Sequence, residues 1–440
     1  MKFKLPHPLI LLLAAVGVAA ALTWILPAGE YDRRDDEATG RRVVVAGTYH
    51  AVEPAPVGPF RALVAVPRGF IEAAEVIAVI VFVGGAWVVI DTLGSLARLV
   101  GMIVGAFRTR GLFAIPVVAF FFAAMGALEN MQEEIIPLVP VLLVLGRGLG
   151  VNAVVVVAMS AGAAMIGSAF GPTNPFQAGI AMKLAELPPV SAIGVRLSML
   201  AAAFVLWVAW TVRYAASHRV PVSDVAIDAQ PASAKDLAMF VLLLAPMAAY
   251  VYGAYAWGWG FNELSAGFFA AGIAVGLIGG LGFTGTTNAY LEGMQSLLPA
   301  AVMVGVARTI SLVLADGQVI DTILHGLAEP LSGATATTAA LLMIPVHAAI
   351  HVVVPSVSGH AVLTMPVLVP LSDLLAISRQ ATVIAYQTGA GLTELITPTN
   401  GALMAMLLAA KVPYQEWLRF AIVGVGLAVL VGIAGMLFVM

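Results

Sequence analysis

Cysteine is absent from this chain of 440 residues, which excludes disulfides, thiol nucleophiles and thiolate metal sites and leaves the redox compartment undetermined. Charge is scarce as well. Asp, Glu, Lys and Arg make up only 10% of the residues, where soluble domains carry about 25%. The formal balance of −3 is too small to argue for a nucleic-acid partner. Catalytic signatures are missing: there is no HExxH, no GxSxG and no GxxxxGK(S/T). Ser358-Gly359 is followed directly by His360, whereas an intramembrane serine protease needs its histidine on a separate helix. Neither an enzyme nor a cofactor is expected. What is abundant is apolar: 61% of the residues are hydrophobic and mean hydropathy is +1.00, the composition of a polytopic membrane protein.

Lys2 and Lys4 precede an apolar run from Leu9 to Ile25 with no clear small-residue cleavage site, which predicts an uncleaved first helix with a cytoplasmic N-terminus. Pro27–Arg61 reads as a solvated extracytoplasmic loop of mixed charge, and Arg61–Glu75 as an amphipathic segment at the interface. Ala74–Ile90 is a span; Leu99–Phe107 is shorter, closed on the cytoplasmic side by Arg108 and Arg110. Residues 111–150 form one apolar region broken by Leu128-Glu129-Asn130-Met131-Gln132-Glu133-Glu134. Each flank is short for a span of about 20 residues, so a re-entrant hairpin with a polar tip is expected. A broken helix over 152–187 and a span over Ile193–Val212 complete an N-terminal repeat, residues 1–220. After a polar linker at 221–235, residues 236–440 repeat the plan, with spans at Leu237–Tyr252, Ala266–Leu281 and Ala300–Ala315, a hairpin over 335–375, a broken helix over 381–410 and a last helix at Trp417–Met440. Leu138-Val139-Pro140 answers Leu368-Val369-Pro370, which argues for internal duplication. The repeats are inverted if each half crosses the membrane an odd number of times.

The strongest signal is a tripeptide used twice, Pro172-Thr173-Asn174 and Pro398-Thr399-Asn400, 226 positions apart and each inside an apolar run. Proline removes a helical donor and displaces the residue before it, so each step should unwind. Irregular backbone at that depth survives only where it lines a cavity, and a pair of such breaks marks a carrier's central site. Ser168, Thr173 and Asn174 at the first break, and Glu394, Thr397, Thr399 and Asn400 at the second, are therefore candidate substrate or ion ligands. In the first tip, Glu129, Glu133 and Glu134 would repel one another, so Asn130 and these acids are expected to hold a proton, a cation or a substrate amino group. The alternative is a surface loop. The second tip, Ser356-Val357-Ser358-Gly359, offers hydroxyls and backbone amides; both tips are possible places for Na+. Arg308 stands alone in its span, either to bind a substrate carboxylate or to pair with an acid of a neighbouring helix. His347 and His351 have i, i+4 spacing but no third ligand nearby, so packed or pore-lining residues are expected rather than a metal site.

The runs Asn174-Pro175-Phe176 with QAGIA, KLAELPPVS and Arg196 beyond, and Pro355-Ser356-Val357-Ser358-Gly359 with LTMPVLVPLSD and Ser378-Arg379-Gln380, resemble the YfcC/DcuC-type permeases of the ion transporter superfamily over nearly the whole chain. The resemblance implies an all-α inner-membrane secondary carrier of two inverted repeats, each with a re-entrant hairpin and a broken helix, moving as an elevator within a homodimer. It implies a substrate among four-carbon dicarboxylates, other carboxylates and basic amino acids. PSVSGH stands where PSGSG and a small or amide residue are expected, so Val357 and His360 depart from the pattern. A glutamate-rich tip suits an amino group or a coupling cation better than a bare dicarboxylate. The expectation is thus an amino-acid carrier driven by H+ or Na+ or by exchange, with an organic-acid carrier as the alternative and a gated channel as the rival from another class.

Overall fold

The computed structural model describes residues 7–36, 41–106, 111–188, 191–221 and 231–440. Lys2 and Lys4, Arg108 and Arg110, and most of the 221–235 linker lie outside the described residues.

Helix α1 (Pro8–Ile25) starts on a proline at its first position, with His7 accepting from the Leu9 amide at 3.2 Å. The following loop is a correction to the all-helical expectation. It folds into two antiparallel ribbons, β1 (Gly29–Glu30) with β4 (His50–Ala51), and β2 (Arg33–Asp36) with β3 (Arg41–Val44). These ribbons dock on α14 (Ile320–Ala328): the Tyr31 amide donates to Asp321 at 2.9 Å, Arg33 pairs with Asp321, and the Tyr49 ring stacks on His325 at 4.1 Å. Composition marked the loop as polar, but the partner that orders it lies about 290 residues away.

The remaining helices run α2 (Pro59–Glu72), α3 (Ala74–Thr92), α4 (Ser95–Ala106), α5 (Ala114–Glu129), α6 (Val139–Leu149), α7 (Ala153–Val157), α8 (Ala163–Phe170), α9 (Ile180–Leu184) and α10 (Ile193–Ser217). After the linker come α11 (Ala234–Trp257), α12 (Phe261–Gly279), α13 (Gly282–Asp316), then α14, α15 (Ala336–Val353), α16 (Val357–Leu374), α17 (Arg379–Tyr386), α18 (Gly401–Ala409) and α19 (Tyr414–Phe438). Among the described residues eight helical segments are long and apolar enough to cross a membrane, so the chain is a multi-pass membrane protein. α13 is longer than its apolar stretch suggested. Its 35 residues would measure about 50 Å, more than the bilayer core of about 30 Å. Thr284, Thr286, Thr287, Asn288 and Glu292 hide its first half from a hydropathy reading.

α13 is the spine: α1, α2, α3 and α18 all pack against it. Glycine permits close approach, since a side chain at Gly69 of α2 would meet the Gly305 carbonyl and Thr309. Near the chain's midpoint, buried Asp236 at the start of α11 receives Ser95 at 2.5 Å and two Arg98 nitrogens at 2.6 and 3.1 Å, tying α4 to α11. Buried Arg196 on α10 instead finds amide partners, Gln387 and, at 3.2 Å, Gln380.

Candidate functional site

The first break is built by close helix packing. A side chain at Gly126 of α5 would run into the Ala164 carbonyl of α8, and one at Gly167 of α8 into the Ala123 carbonyl of α5. Only glycine lets the two backbones meet there, and the contact carries the end of α5 to the unwound step. α8 stops at Phe170, and Gly171 is extended at φ −60°, ψ 123°. Asn174 then caps the next segment, with Oδ1 accepting from the Phe176 and Gln177 amides at 3.0 and 2.9 Å. Its amide group donates to the Gly126 carbonyl at 3.2 Å, Asn130 Oδ1 at 3.0 Å and Ser168 Oγ at 2.9 Å. Ser168 also donates to Asn130 Oδ1. Asn130 itself sits at φ 58°, a left-handed cap that asparagine tolerates.

The second break repeats the device. The chain leaves its helix after a π-helical turn, Gln387–Gly391, and Asn400 caps α18 by accepting from the Leu403 amide at 3.2 Å while donating to the Glu394 carbonyl at 3.2 Å. Thr397 and Thr399 hydroxyls bond each other at 2.7 Å. Carbonyls freed by the break would be costly in a buried place, and α19 supplies donors. Trp417 reaches Leu395 O at 2.7 Å, and Tyr414 reaches Ile396 O. On the first side Trp207 of α10 does the same for Ala158 O at 2.9 Å, within the π-helical turn Ala158–Gly162.

A cavity of about 480 Å³ joins residues 130–134 and 355–358 to the second break. Of the residues singled out in the sequence, Asn130, Glu133, Glu134, Ser356, Ser358, Glu394, Thr399, Asn400 and Arg308 line it. Ser168, Thr173, Asn174, Gly359 and Thr397 do not. The first three brace the first break, with the exposed Thr173 donating to Ala127 O at 3.1 Å, and the Gly359 amide is taken by Ser356 Oγ at 3.3 Å. Glu129 ends α5, and its side chain lies outside the described residues. Arg308 has its acid: its Nη2 is 2.9 Å from Glu72, and both groups are partly solvated.

Gln132 was not singled out in the sequence, where it stands only as part of the run from Leu128 to Glu134. It donates to Glu394 through its side chain, and its backbone amide donates to Glu134 at 3.0 Å, so it joins the first tip to the second break. Tyr250, Trp259 and Phe261 close another wall, and α18's first turn, Asn400-Gly401-Ala402, turns its N-terminal end to the cavity. The arrangement places several carboxylates, two serine hydroxyls and the positive end of a helix dipole around one small volume. Among the described residues no group of His, Asp and Glu is placed to hold a metal ion.

Comparison with known proteins places this geometry in context. The family model for C4-dicarboxylate anaerobic carriers matches residues 5–440. The "Putative basic amino acid antiporter YfcC" of Escherichia coli (strain K12) is 28% identical over 478 residues, covering 97% of this chain and 94% of the relative. Among solved structures, the Alcanivorax borkumensis YdaH transporter aligns over 98% of both chains at 17% identity with a TM-score of 0.44. Neisseria gonorrhoeae MtrF, described with a class of antimetabolite efflux pumps, aligns over 98% of this chain and 94% of its own at 16% identity and a TM-score of 0.45.

Proposed function

The chain belongs to the C4-dicarboxylate anaerobic carrier family, and from that premise we propose that it is a secondary active carrier of an amino acid with a cationic side chain. The observation that carries this reading is the cavity's charge. Among the described residues Glu72, Glu75, Glu133, Glu134 and Glu394 line it against a single guanidinium, Arg308, already paired with Glu72. A four-carbon dicarboxylate would add two negative charges to that lining. Like charges 4 Å apart repel by about 4 kcal/mol at an effective dielectric of 20. A cationic amino acid meets the site differently: its carboxylate suits the first turn of α18 and the Ser356 and Ser358 hydroxyls, and its ammonium or guanidinium suits Glu133, Glu134 and Glu394. The name given to the Escherichia coli relative points the same way.

The working cycle belongs to the same proposal. Residues 1–220 and 236–440 act as inverted repeats whose hairpins (111–150 and 335–375) and broken helices (152–187 and 381–410) move as one elevator body within a homodimer of the inner membrane. The twin asparagine caps at Asn174 and Asn400 support the duplication. Exchange or a proton gradient drives transport, with Na+ as the alternative. Purified protein in liposomes tests it. Saturable counterflow of labelled L-arginine, without counterflow of labelled succinate, is expected. Succinate counterflow alone would restore the dicarboxylate reading, and current without counterflow of either solute would indicate a channel.

A further inference from the structure

Behind the cavity wall three histidines stand out of contact with solvent: His347 and His351 on α15 and His360 on α16, each 0% exposed. His347 Nδ1 and His360 Nε2 lie 2.9 Å apart and share a hydrogen. The His351 ring centroid is 5.5 Å from that of His360, and Tyr386 of α17 packs 5.4 Å from both His347 and His360. His351 Nε2 is 3.6 Å from Glu394 Oε1, while neither His351 ring nitrogen has a hydrogen-bond partner. The other Glu394 oxygen accepts from Gln132, at the cavity. The three rings do not converge on a metal position.

Counting protons shows why this cluster calls for a role. A neutral imidazole has one N–H and one lone pair. In the His347–His360 pair one N–H is used between the rings, and the second is left without a partner whichever tautomer is present, since His347 Nε2 and His360 Nδ1 are both unpartnered. A neutral His351 adds another orphan N–H. A buried N–H without a partner is costly, so a site that keeps two needs a reason. A proton added to His351 places a cation beside the Glu394 carboxylate. Glu394, 5% exposed, has no other cation within 4.0 Å among the described residues. A buried carboxylate left alone is costly, and among the described residues the His351 imidazole is the one group beside it that can supply a compensating charge.

Of the other charged and titratable groups on the elements packed against α15, Glu329, Glu416 and Arg419 are exposed, and the rest are engaged elsewhere. Asp321 and His325 of α14 face Arg33, Tyr31 and Tyr49; Asp373 at the far end of α16 is held by Arg379. Tyr386 donates to Val357 O at 2.7 Å, and Tyr414 of α19 donates to Ile396 O. Thr388 is a hydroxyl without charge, and Glu133 and Glu134 reach the cluster only through the cavity side of Glu394.

We propose that His351 and Glu394 form a proton-binding site behind the cavity, from which a cationic substrate arriving at Glu394 displaces the proton. The inference rests on the carrier reading above and adds its coupling device. A substrate ammonium or guanidinium at the cavity side neutralises Glu394, and the imidazolium loses its counter-charge. The proton passes from His351 Nε2 to Glu394 Oε1, the N–H bond breaking as an O–H bond forms, and then from Oε1 to cavity water, that O–H bond breaking as one forms on the water, so the imidazole ends neutral and Glu394 ends as the carboxylate held by the substrate cation. Substrate and proton thus exclude each other at one carboxylate, which is the logic of antiport. The neutral His347–His360 pair and Tyr386 close the site from behind.

Two measurements on the full-length purified protein test this. First, acid–base titration without substrate, between about pH 5 and pH 9, compares the protein with H351Q. One proton fewer per chain is expected in H351Q. E394Q should show the same loss, and the H351Q/E394Q double variant no more than either. An H351Q titration curve superimposable on that of the parent protein overturns the proposal whatever the substrate proves to be. Second, L-arginine added to weakly buffered protein should release one proton per chain, and H351Q should bind L-arginine with no release. Equal release from H351Q overturns the coupling. Absence of L-arginine binding to the parent protein overturns the substrate reading and with it the displacement step, leaving the proton site to the first measurement. If H351Q does not fold, E394Q is read in its place, with loss of one titrating proton expected and an unchanged curve counting against the site.

Discussion

Replacing Asn174 separates two jobs that one side chain does. Its Oδ1 caps a helix by accepting from the Phe176 and Gln177 amides, and its Nδ2 donates to Gly126, Asn130 and Ser168 in a place with 0% exposure. Asn174→Ala removes both. Loss of a cap costs about 0.5–2 kcal/mol, and buried acceptors and amides left without partners add about 1–3 kcal/mol. The expected destabilisation is therefore about 2–4 kcal/mol, roughly a hundredfold in the folding equilibrium. Asn174→Asp keeps the cap acceptor but sets a carboxylate against Gly126 O and Asn130 Oδ1. It should be worse than alanine, because an unpaired buried charge costs more than a missing hydrogen bond. Reversible unfolding of the detergent-solubilised protein by graded denaturing detergent measures both. The order parent, alanine, aspartate is expected. An aspartate variant as stable as the parent would mean that Nδ2 donates to nothing, and the account of the first break would fail. An alanine variant that folds normally but transports nothing would show that Asn174 touches substrate instead of bracing the step.

Gly126→Ala and Gly167→Ala should each lose about 1–3 kcal/mol through overpacking at the α5–α8 crossing, and less than the sum together. Gly194→Ala, with open space around it in α10, is the control and should be neutral or up to about 1 kcal/mol more stable in the same unfolding assay. Asp236→Asn should cost about 1–3 kcal/mol because it removes the charge that Arg98 pairs with, and the loss should shrink when Arg98→Met is added; additive losses would deny the coupling. Arg308→Gln breaks a partly solvated pair and should change stability by less than about 1 kcal/mol, yet tighten L-arginine binding by removing the cavity's one guanidinium; weaker binding would argue for a substrate-carboxylate role.

Local chemistry sufficed for the two helix breaks. Proline and glycine decide where a helix cannot continue, so the steps at Pro172-Thr173-Asn174 and Pro398-Thr399-Asn400 were legible before any packing was known, whereas Asn174 and Asn400 read as candidate ligands and their role as caps came from the structure. Glutamates inside an apolar run must be explained by any fold, which is why Glu133, Glu134 and Glu394 stood out. Resemblance to the permease family came from the same stretches, and the family match runs from residue 5 to 440. Tertiary structure decided the rest. No spacing could show that Tyr31, Arg33 and Tyr49 meet Asp321 and His325, that Asp236 receives Ser95 and Arg98, or that Trp417 and Tyr414 satisfy the carbonyls of Leu395 and Ile396. His347 and His351 share a helix face by i, i+4 spacing, but His360 joins them only after the chain turns at Ser356. Helix breaks and caps are set by residues a few positions apart, whereas partners for buried polar groups are chosen by how whole helices pack, and that choice is written across hundreds of residues at once.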